Sequence, residues 1–193
     1  MNNRYFGFRH GQSQANVLEI IVSSLQMKSN EEFSLTLKGE DQVGQAVQKA
    51  KDEGTLNGDT LVYFSPFLRC RRTAEIAREV LGVQSPITLD IRLAERWFGD
   101  LEGTHSSNYQ KIWKADRINP NHTEFGVESV HAVQARTMAL VNDLEDRYFG
   151  KTILLVSHGD ALQILQTGFL GKSAAVHWEL PYFETAEIRG LNT

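Results

Sequence analysis

Three short apolar runs, each ending in polar residues and followed by a helical pattern, constrain the fold of this chain most. They cover residues 5–8, 60–64 and 152–156. Such an alternation of strand, turn and helix is typical of an α/β protein with a largely parallel sheet. Ligands bind these sheets beyond the carboxyl ends of the strands. We therefore expect the polar residues after the three runs to meet in one crevice.

The segments between the runs carry recognisable helix signals. Thr36 precedes a helix predicted over 37–51, and further helices are predicted over 130–148 and 161–170. Another helix is predicted to start at Ser65 and Pro66, with Ser65 as N-cap, and to end before Gly82. A final strand is predicted over 183–188.

The length of the chain and the position of its irregular stretch predict one domain. A chain of 193 residues can bury a substantial single core. Residues 103–128, with Pro120, Trp113 and several Asn and Ser, are the least regular stretch. We interpret them as an irregular insertion that covers the site within a single domain spanning 1–193.

Composition excludes several classes of protein. The formal net charge of −4 gives no electrostatic reason to expect nucleic acid or an acidic membrane as a partner. The single cysteine, Cys70, excludes an internal disulfide framework and CxxC zinc sites. The first residues, MNNRYFGF, lack the apolar run of a signal peptide, so we expect a cytoplasmic protein. The sequence indicates no particular oligomeric state.

The first polar cluster follows the first predicted strand. Arg9, His10 and Gly11 come directly after it, and Ser13 and Asn16 are close enough to hydrogen-bond phosphate oxygens. A lone histidine after a strand is more often structural, so this cluster alone is weak evidence. Gly11 would let the backbone approach a ligand closely.

The second cluster is cationic and opens a predicted helix. Arg69, Arg71 and Arg72 lie in its first turns, where the helix dipole is already positive. A bound anion best explains Arg69, whereas Arg71 is interpreted as a surface residue and Arg72 stays undecided.

Two further clusters contain candidate acids and a second histidine. Glu95 can act as a general acid if it faces the crevice, and Glu102 is interpreted as a solvated side chain. His158 follows the last of the three apolar runs, and Asp160 is placed to cap or enter the next helix.

Together the clusters resemble, in order and over nearly the whole chain, the motifs of the histidine phosphatase superfamily, also called the phosphoglycerate mutase-like family. The matching stretches are RHGQSQAN at 9–16, SPFLRCRRTA at 65–74, LAERWFGDLEG at 93–103 and SHG at 157–159. Phe67 and Cys70 depart from the family's usual leucine and alanine. The resemblance implies a three-layer α/β/α sandwich with a mostly parallel central sheet.

The resemblance also implies a mechanism without metal or cofactor. His10 would be the nucleophile and become a phosphohistidine, while Glu95 would protonate the leaving oxygen. The catalytic residues implied are His10, Glu95, His158, Arg9 and Arg69. The phosphate-binding residues implied are Arg9, Ser13, Asn16, Arg69, His158 and Gly159. Because Glu95 must be protonated, we expect an activity optimum on the acidic side of neutral.

The favoured function is hydrolysis of a small phosphorylated metabolite. A phosphoglycerate mutase is the main alternative, but 103–128 offers few basic residues, and Asp160 stands where mutases typically carry asparagine. A non-catalytic phosphate-binding regulator is the other alternative. A metal hydrolase is disfavoured because the sequence has no HxH, HxxxH or HExxH spacing. Four aromatic residues can line a pocket for the leaving group or simply pack: Trp97, Tyr109, Trp113 and Phe125.

Overall fold

A five-stranded, mostly parallel sheet forms the centre of the computed structural model, which describes residues 1–25 and 32–192. The strands are β1 (Arg4–Arg9), β2 (Leu61–Phe64), β3 (Thr88–Leu89), β4 (Thr152–Ser157) and β5 (Ile188–Gly190). Their spatial order is β3-β2-β4-β1-β5. The pairs β1–β4, β2–β4 and β2–β3 are parallel, and β5 lies antiparallel to β1.

The central strands β1 and β4 form where the apolar runs predicted them. Their interior residues are buried, as expected for a parallel sheet covered on both faces. The register pairs Phe6 with Leu154 and Arg9 with Ser157. This register brings the residues that follow the two strands, His10 and His158, side by side at one edge of the sheet.

Helices cover both faces of the sheet and confirm the predicted three-layer α/β/α arrangement. The helices α2 (Leu37–Asp52) and α3 (Leu68–Leu81) pack on one face, against Phe6, Phe8 and Leu154. The helices α5 (Val130–Arg147) and α6 (Gly159–Phe169) pack on the other. A single turn, α1 (Gln14–Val17), follows β1. None of the helices in the described residues has the length and apolar character needed to cross a bilayer.

The ends of two helices test the predicted signals. The helix α2 begins after Thr36, whose Oγ1 accepts a hydrogen bond from the Gly39 N–H at 3.0 Å. The predicted start of α3 at Ser65 is wrong, because α3 begins at Leu68. The Ser65 hydroxyl is not free to cap the helix, since it bonds His158 Nε2 at 2.7 Å.

The predicted final strand forms, but its bounds are wrong, since β5 covers Ile188–Gly190 instead of 183–188. Phe183 is fully buried in the core on the α5–α6 face of the sheet, and Ala186 has a φ of +58°, which interrupts an extended path. The carbonyl of Phe183 accepts a hydrogen bond from Arg9 Nη1 at 2.6 Å. This segment therefore turns across the end of β1 before it joins the sheet.

Residues 103–128 are more regular than predicted. They contain a ten-residue helix, α4 (Tyr109–Ile118), and two short 3₁₀ turns. The helix buries Ile112 and directs Trp113 Nε1 to the carboxylate of Asp160, at 3.1 Å from Oδ2. Packing of one helical face against the rest of the molecule stabilises a helix that the polar sequence did not reveal.

Candidate active site

A pocket lies at the carboxyl ends of β1 and β4, beside the start of α3. Several segments far apart in sequence contribute to its walls. Its lining residues are Arg9, His10, Ser13, Ala15, Asn16, Glu19, Ile20, Val22, Arg69, Glu95, Ser106, Tyr109, Asp160 and Tyr182. The rings of His10 and His158 have centroids 5.3 Å apart and meet edge to face. The polar clusters after β1 and β4 therefore converge, as expected.

The ring of His10 is held in one tautomer. Its Nδ1 lies 2.8 Å from the carbonyl oxygen of Gly11, which can only accept, so Nδ1 carries the proton. The other nitrogen, Nε2, accepts a hydrogen bond from Arg69 Nε at 3.2 Å. The lone pair of Nε2 is therefore on the side of the ring that faces Arg69.

His10 is also held neutral. Burial lowers the pKa of His10 well below its usual value, and the positive charges of Arg69 and Arg9 lower it further. A neutral imidazole whose Nε2 carries a lone pair instead of a proton is the form that can attack phosphorus.

Arg69 is buried at the base of the pocket. Its Nη2 donates to the carbonyl of Val22 at 2.9 Å and also approaches His158 Nδ1 at 3.1 Å. Its Nη1 is buried and has no hydrogen-bond partner among the described residues. Buried donors are normally paired, so this N–H group suits an anionic ligand.

Arg9 offers a second donor on the same side. Its Nη1 is tied to the Phe183 carbonyl, whereas its buried Nε has no partner within the described part of the chain. The guanidinium also lies over the ring of Tyr182, with Cζ 5.1 Å from the ring centroid. Each of the two arginines therefore has one buried N–H group without a partner among the described residues, and their role in phosphate binding stays a prediction.

His158 is buried between groups that fix its orientation. Ser65 lies at Nε2 and Arg69 at Nδ1, and the ring of Phe67 meets it edge to face with centroids 5.0 Å apart. Burial and the positive charge of Arg69 lower the pKa of His158 well below its usual value. Cys70 Sγ lies 3.4 Å from His158 Nε2, and burial raises the pKa of this thiol to about 12, so Cys70 acts as packing rather than as a thiolate.

Glu95 faces the same pocket with its side chain only 10 % exposed. Its Oε1 accepts the Arg96 N–H at 2.9 Å, and its Oε2 lies 3.9 Å from His158 Nδ1. Burial, followed by the negative charge of Asp160, raises the pKa of Glu95 to about 7. A carboxyl group with this pKa can both give and take a proton near neutral pH.

Ser13 and Asn16 form one unit. The Ser13 hydroxyl and N–H both donate to Asn16 Oδ1, at 3.0 Å each, in a capping box around α1. Because Oδ1 is engaged, the amide N–H groups of Asn16 are the ones available to a ligand. Ser13 thus holds Asn16 in place. The sequence analysis predicted that both residues bind phosphate and did not distinguish this positioning contact from direct binding.

Gly159 has a different environment from the one predicted for it. Like His158, it is not among the described residues that line the pocket, so its role in phosphate binding stays a prediction. A Cβ atom at this position would lie 2.1 Å from the hydroxyl oxygen of Tyr182. The glycine allows Tyr182 to pack against the start of α6, so Gly159 shapes the wall of the pocket.

A buried ionic network behind the pocket was missed by the sequence analysis. Arg96 is fully buried, and its Nη1 and Nη2 each donate to Asp116 at 2.7 Å. His122 Nε2 bonds the same carboxylate at 2.8 Å, and Asp160 Oδ2 lies 3.7 Å from Arg96 Nη1. Arg96 and Asp116 lie far apart in the sequence, and each looks like an ordinary charged residue in its local sequence. No local signal therefore marked this network.

Of the remaining candidate residues, only Tyr109 is among the described residues that line the pocket. Arg71 pairs with Glu75 on the surface as interpreted, and Arg72 bonds Glu40 at 2.7 Å. Glu102 is not simply solvated, because it accepts hydrogen bonds from the Ser23 N–H and hydroxyl. Of the four aromatic residues, Tyr109 lines the pocket, Trp113 stacks on Tyr109, and Trp97 and Phe125 are partly exposed outside it.

Comparison with known proteins decides the family. The chain matches the family model of the histidine phosphatase superfamily (branch 1) over residues 7–193. The chain belongs to the histidine phosphatase superfamily. A curated relative is the probable phosphoglycerate mutase GpmB of Escherichia coli, which is 32% identical over 172 residues, 86% of this chain and 74% of the relative.

Solved structures of the superfamily share the fold. A mycobacterial glucosyl-3-phosphoglycerate phosphatase in complex with VO3 has a TM-score of 0.79 and 24% identity, covering 96% of this chain and 90% of that one. Bacillus stearothermophilus YhfR has a TM-score of 0.75 and 26% identity, with coverages of 96% and 89%. A putative alpha-ribazole-5'-P phosphatase from Escherichia coli has a TM-score of 0.73 and 22% identity, with coverages of 96% and 88%. These likenesses confirm the predicted phosphoglycerate mutase-like fold.

Proposed function

We propose that this superfamily member is a metal-independent phosphomonoester hydrolase of a small phosphorylated metabolite. In this proposal the reaction passes through a phosphohistidine at His10. The tautomer of His10 is the observation that carries the proposal. The Gly11 carbonyl keeps the proton on Nδ1, so Nε2 presents its lone pair beside the guanidinium of Arg69. An aligned neutral nucleophile next to fixed cationic donors is what phosphoryl transfer requires.

In the first step, His10 Nε2 forms a bond to phosphorus as the bond from phosphorus to the leaving oxygen breaks. The unpartnered N–H groups of Arg9 and Arg69 receive the phosphoryl oxygens and stabilise their charge. Glu95 gives its proton to the leaving oxygen, which departs as an alcohol.

In the second step, the Glu95 carboxylate takes a proton from water, and the water oxygen attacks the phosphorus of phosphohistidine. The bond between nitrogen and phosphorus breaks, phosphate is released, and His10 returns to its neutral tautomer. Glu95 ends the cycle protonated, ready for the next substrate. The proposal needs no metal ion, because the two guanidinium groups supply the positive charge.

A phosphoglycerate mutase is the second candidate, since a relative that is 32% identical is a probable phosphoglycerate mutase. A mutase must hold a doubly phosphorylated intermediate. Among the described residues that line the pocket, the cationic side chains are Arg9 and Arg69, and both serve the transferring phosphoryl group. This charge distribution favours the hydrolase.

The proposal is tested by phosphate release from p-nitrophenyl phosphate and from phosphorylated metabolites in excess chelator. We expect release by the wild type and by a His131→Ala control, and at least a hundredfold loss in His10→Ala. With a substrate labelled in its phosphoryl group, rapid quenching without acid should trap the labelled phosphoryl group on His10 of the wild type. Equal release by His10→Ala would contradict the mechanism. Interconversion of phosphoglycerates without release of phosphate would favour the mutase.

A further inference from the structure

We infer that the leaving group of the substrate is an uncharged, hydroxyl-bearing group, and that Glu19 at the mouth of the pocket disfavours leaving groups that carry a carboxylate or a second phosphate. The inference rests on the proposed hydrolase function and names its substrate class.

The charges of the pocket are distributed unevenly. Among the described lining residues, the two cationic side chains lie at the phosphoryl end, beside His10. The rest of the wall carries three carboxyl groups, from Glu19, Glu95 and Asp160. Because Glu95 is protonated when it acts as the acid, the negative charge of this half comes from Glu19 and Asp160. A leaving group with its own negative charge would meet these two carboxylates with no cationic partner in this part of the lining, and like charges at short range repel.

The uncharged polar groups of the same wall suit hydroxyls. The phenol oxygens of Tyr109 and Tyr182 have no hydrogen-bond partner among the described residues, and burial raises the pKa of both phenols, so both can donate. Asn16 adds free amide N–H groups, because Ser13 occupies its Oδ1. Ser106 contributes a hydroxyl at the rim. A hydroxyl both donates and accepts, so it matches such a mixed wall.

Glu19 is held at the mouth by a dedicated arrangement. Its φ of +54° places a residue other than glycine in the left-handed region. The Ser106 N–H donates to the Glu19 carbonyl at 2.7 Å, and an isolated bridge joins Ile20 to His105. The Glu19 carboxylate lies 3.0 Å from His105 Nε2. Strained backbone that a neighbouring segment supports in this way is concentrated at ligand-binding positions.

The test uses two compounds that differ only at one carbon. Glycerol 3-phosphate carries CH₂OH where 3-phosphoglycerate carries a carboxylate. Both are measured as competitors of p-nitrophenyl phosphate hydrolysis, which gives a result even for a compound that is turned over slowly. The proteins are the wild type, Glu19→Gln, and Glu53→Gln as a control that removes the same charge beyond the far end of α2.

We expect the wild type to bind glycerol 3-phosphate at least about tenfold more tightly than 3-phosphoglycerate. Glu19→Gln should reduce that ratio to about a third or less by tightening the binding of 3-phosphoglycerate, and Glu53→Gln should leave it unchanged. Equal or tighter binding of 3-phosphoglycerate by the wild type would overturn the inference. So would an unchanged ratio in Glu19→Gln, or no competition by either compound.

Failure of the proposed function would look different. In that case p-nitrophenyl phosphate would not be hydrolysed in a His10-dependent way, whatever the competitors do. The inference about the leaving group would then fall with the proposed function, and titration calorimetry of the same two compounds on the three proteins would test only whether Glu19 disfavours a carboxylate in the pocket.

Discussion

At the scale of single residues, the environment of Glu95 sets its protonation, and the proposed rate of hydrolysis depends on that protonation. Because the pKa of Glu95 is raised to about 7, the carboxyl is protonated below this pH and loses its proton above it. His10 has its pKa lowered well below the usual value, so it stays a neutral nucleophile over the same range. In the proposed mechanism, the group that limits the rate with rising pH is therefore the acid Glu95 and not the nucleophile His10.

We predict that hydrolysis of a substrate with a poor leaving group is highest on the acidic side of neutral and falls as pH rises through about 7. The falling limb should disappear with p-nitrophenyl phosphate, whose leaving group needs little protonation. A rate that increases between about pH 6 and about pH 9 with an alkyl phosphate would contradict the role of Glu95.

Asp160 should influence the pH at which the rate of hydrolysis falls. Its negative charge contributes to the raised pKa of Glu95, so Asp160→Asn should lower this pKa and move the falling limb to lower pH. Asparagine can still accept the Trp113 Nε1–H through its amide oxygen. The measurement is the pH profile of kcat/KM, with Asp41→Asn on the exposed face of α2 as control. An unmoved limb in Asp160→Asn would show that Asp160 does not tune the acid.

At the scale of elements, the close contact between the loop after β1 and the first turn of α2 holds His10 in place. A Cβ on Gly11 would lie 2.3 Å from the Gly39 carbonyl oxygen, and a Cβ on Gly39 would lie 2.0 Å from the Gln12 carbonyl oxygen. The two backbones can approach this closely only because both residues are glycine. The loop whose carbonyl fixes the His10 tautomer is thereby packed on a rigid helix.

Gly39→Ala and Gly44→Ala form a matched pair within α2. The new methyl group of Gly39→Ala has no space, so we expect a loss of about 1–3 kcal/mol in the free energy of unfolding and reduced activity. A Cβ on Gly44 meets nothing within 4 Å, so Gly44→Ala should stabilise the protein by about 0.5–1 kcal/mol through helix propensity. Urea unfolding measures both. Similar effects of the two substitutions would refute this account of the contact.

At the scale of the whole molecule, the buried pair of Arg96 and Asp116 joins segments that are distant from the central strands. It connects the loop that carries Glu95 to α4, and α4 in turn places Trp113 on Asp160 beside the pocket. The Arg96 backbone also donates to Glu95. The segment 103–128 is therefore tied to the acid of the site through charge as well as through apolar packing.

Removing one partner of this pair should be costly. We expect Arg96→Met to lower the free energy of unfolding by about 3–5 kcal/mol, because it leaves the Asp116 carboxylate buried without its partner. Arg71→Met, which breaks the exposed pair with Glu75, should cost less than about 1 kcal/mol. Thermal or urea unfolding of the two variants gives the comparison. A cost for Arg96→Met as small as that for Arg71→Met would show that the buried pair does not hold the segment.

The sequence by itself determined the sheet and its ligand-binding edge, since short apolar runs that end in turns encode parallel strands locally. It also marked His10 and His158, which follow strand ends, and Arg69 and Glu95, which lie in two further motifs that resemble those of the family. It failed where an outcome depends on a distant partner. Ser65 bonds His158, which follows the neighbouring strand β4, instead of capping α3, and the helix α4 forms in a polar stretch that packs against the core.

Tertiary structure alone decided the electrostatics of the site. The pKa of Glu95 depends on burial and on Asp160, and the tautomer of His10 depends on where the Gly11 carbonyl points. Neither property follows from residue type, because both come from distances between groups that the chain brings together only when it folds. The acidic wall around Glu19 has the same origin, since its carboxyl groups come from separate segments and meet only in the folded pocket.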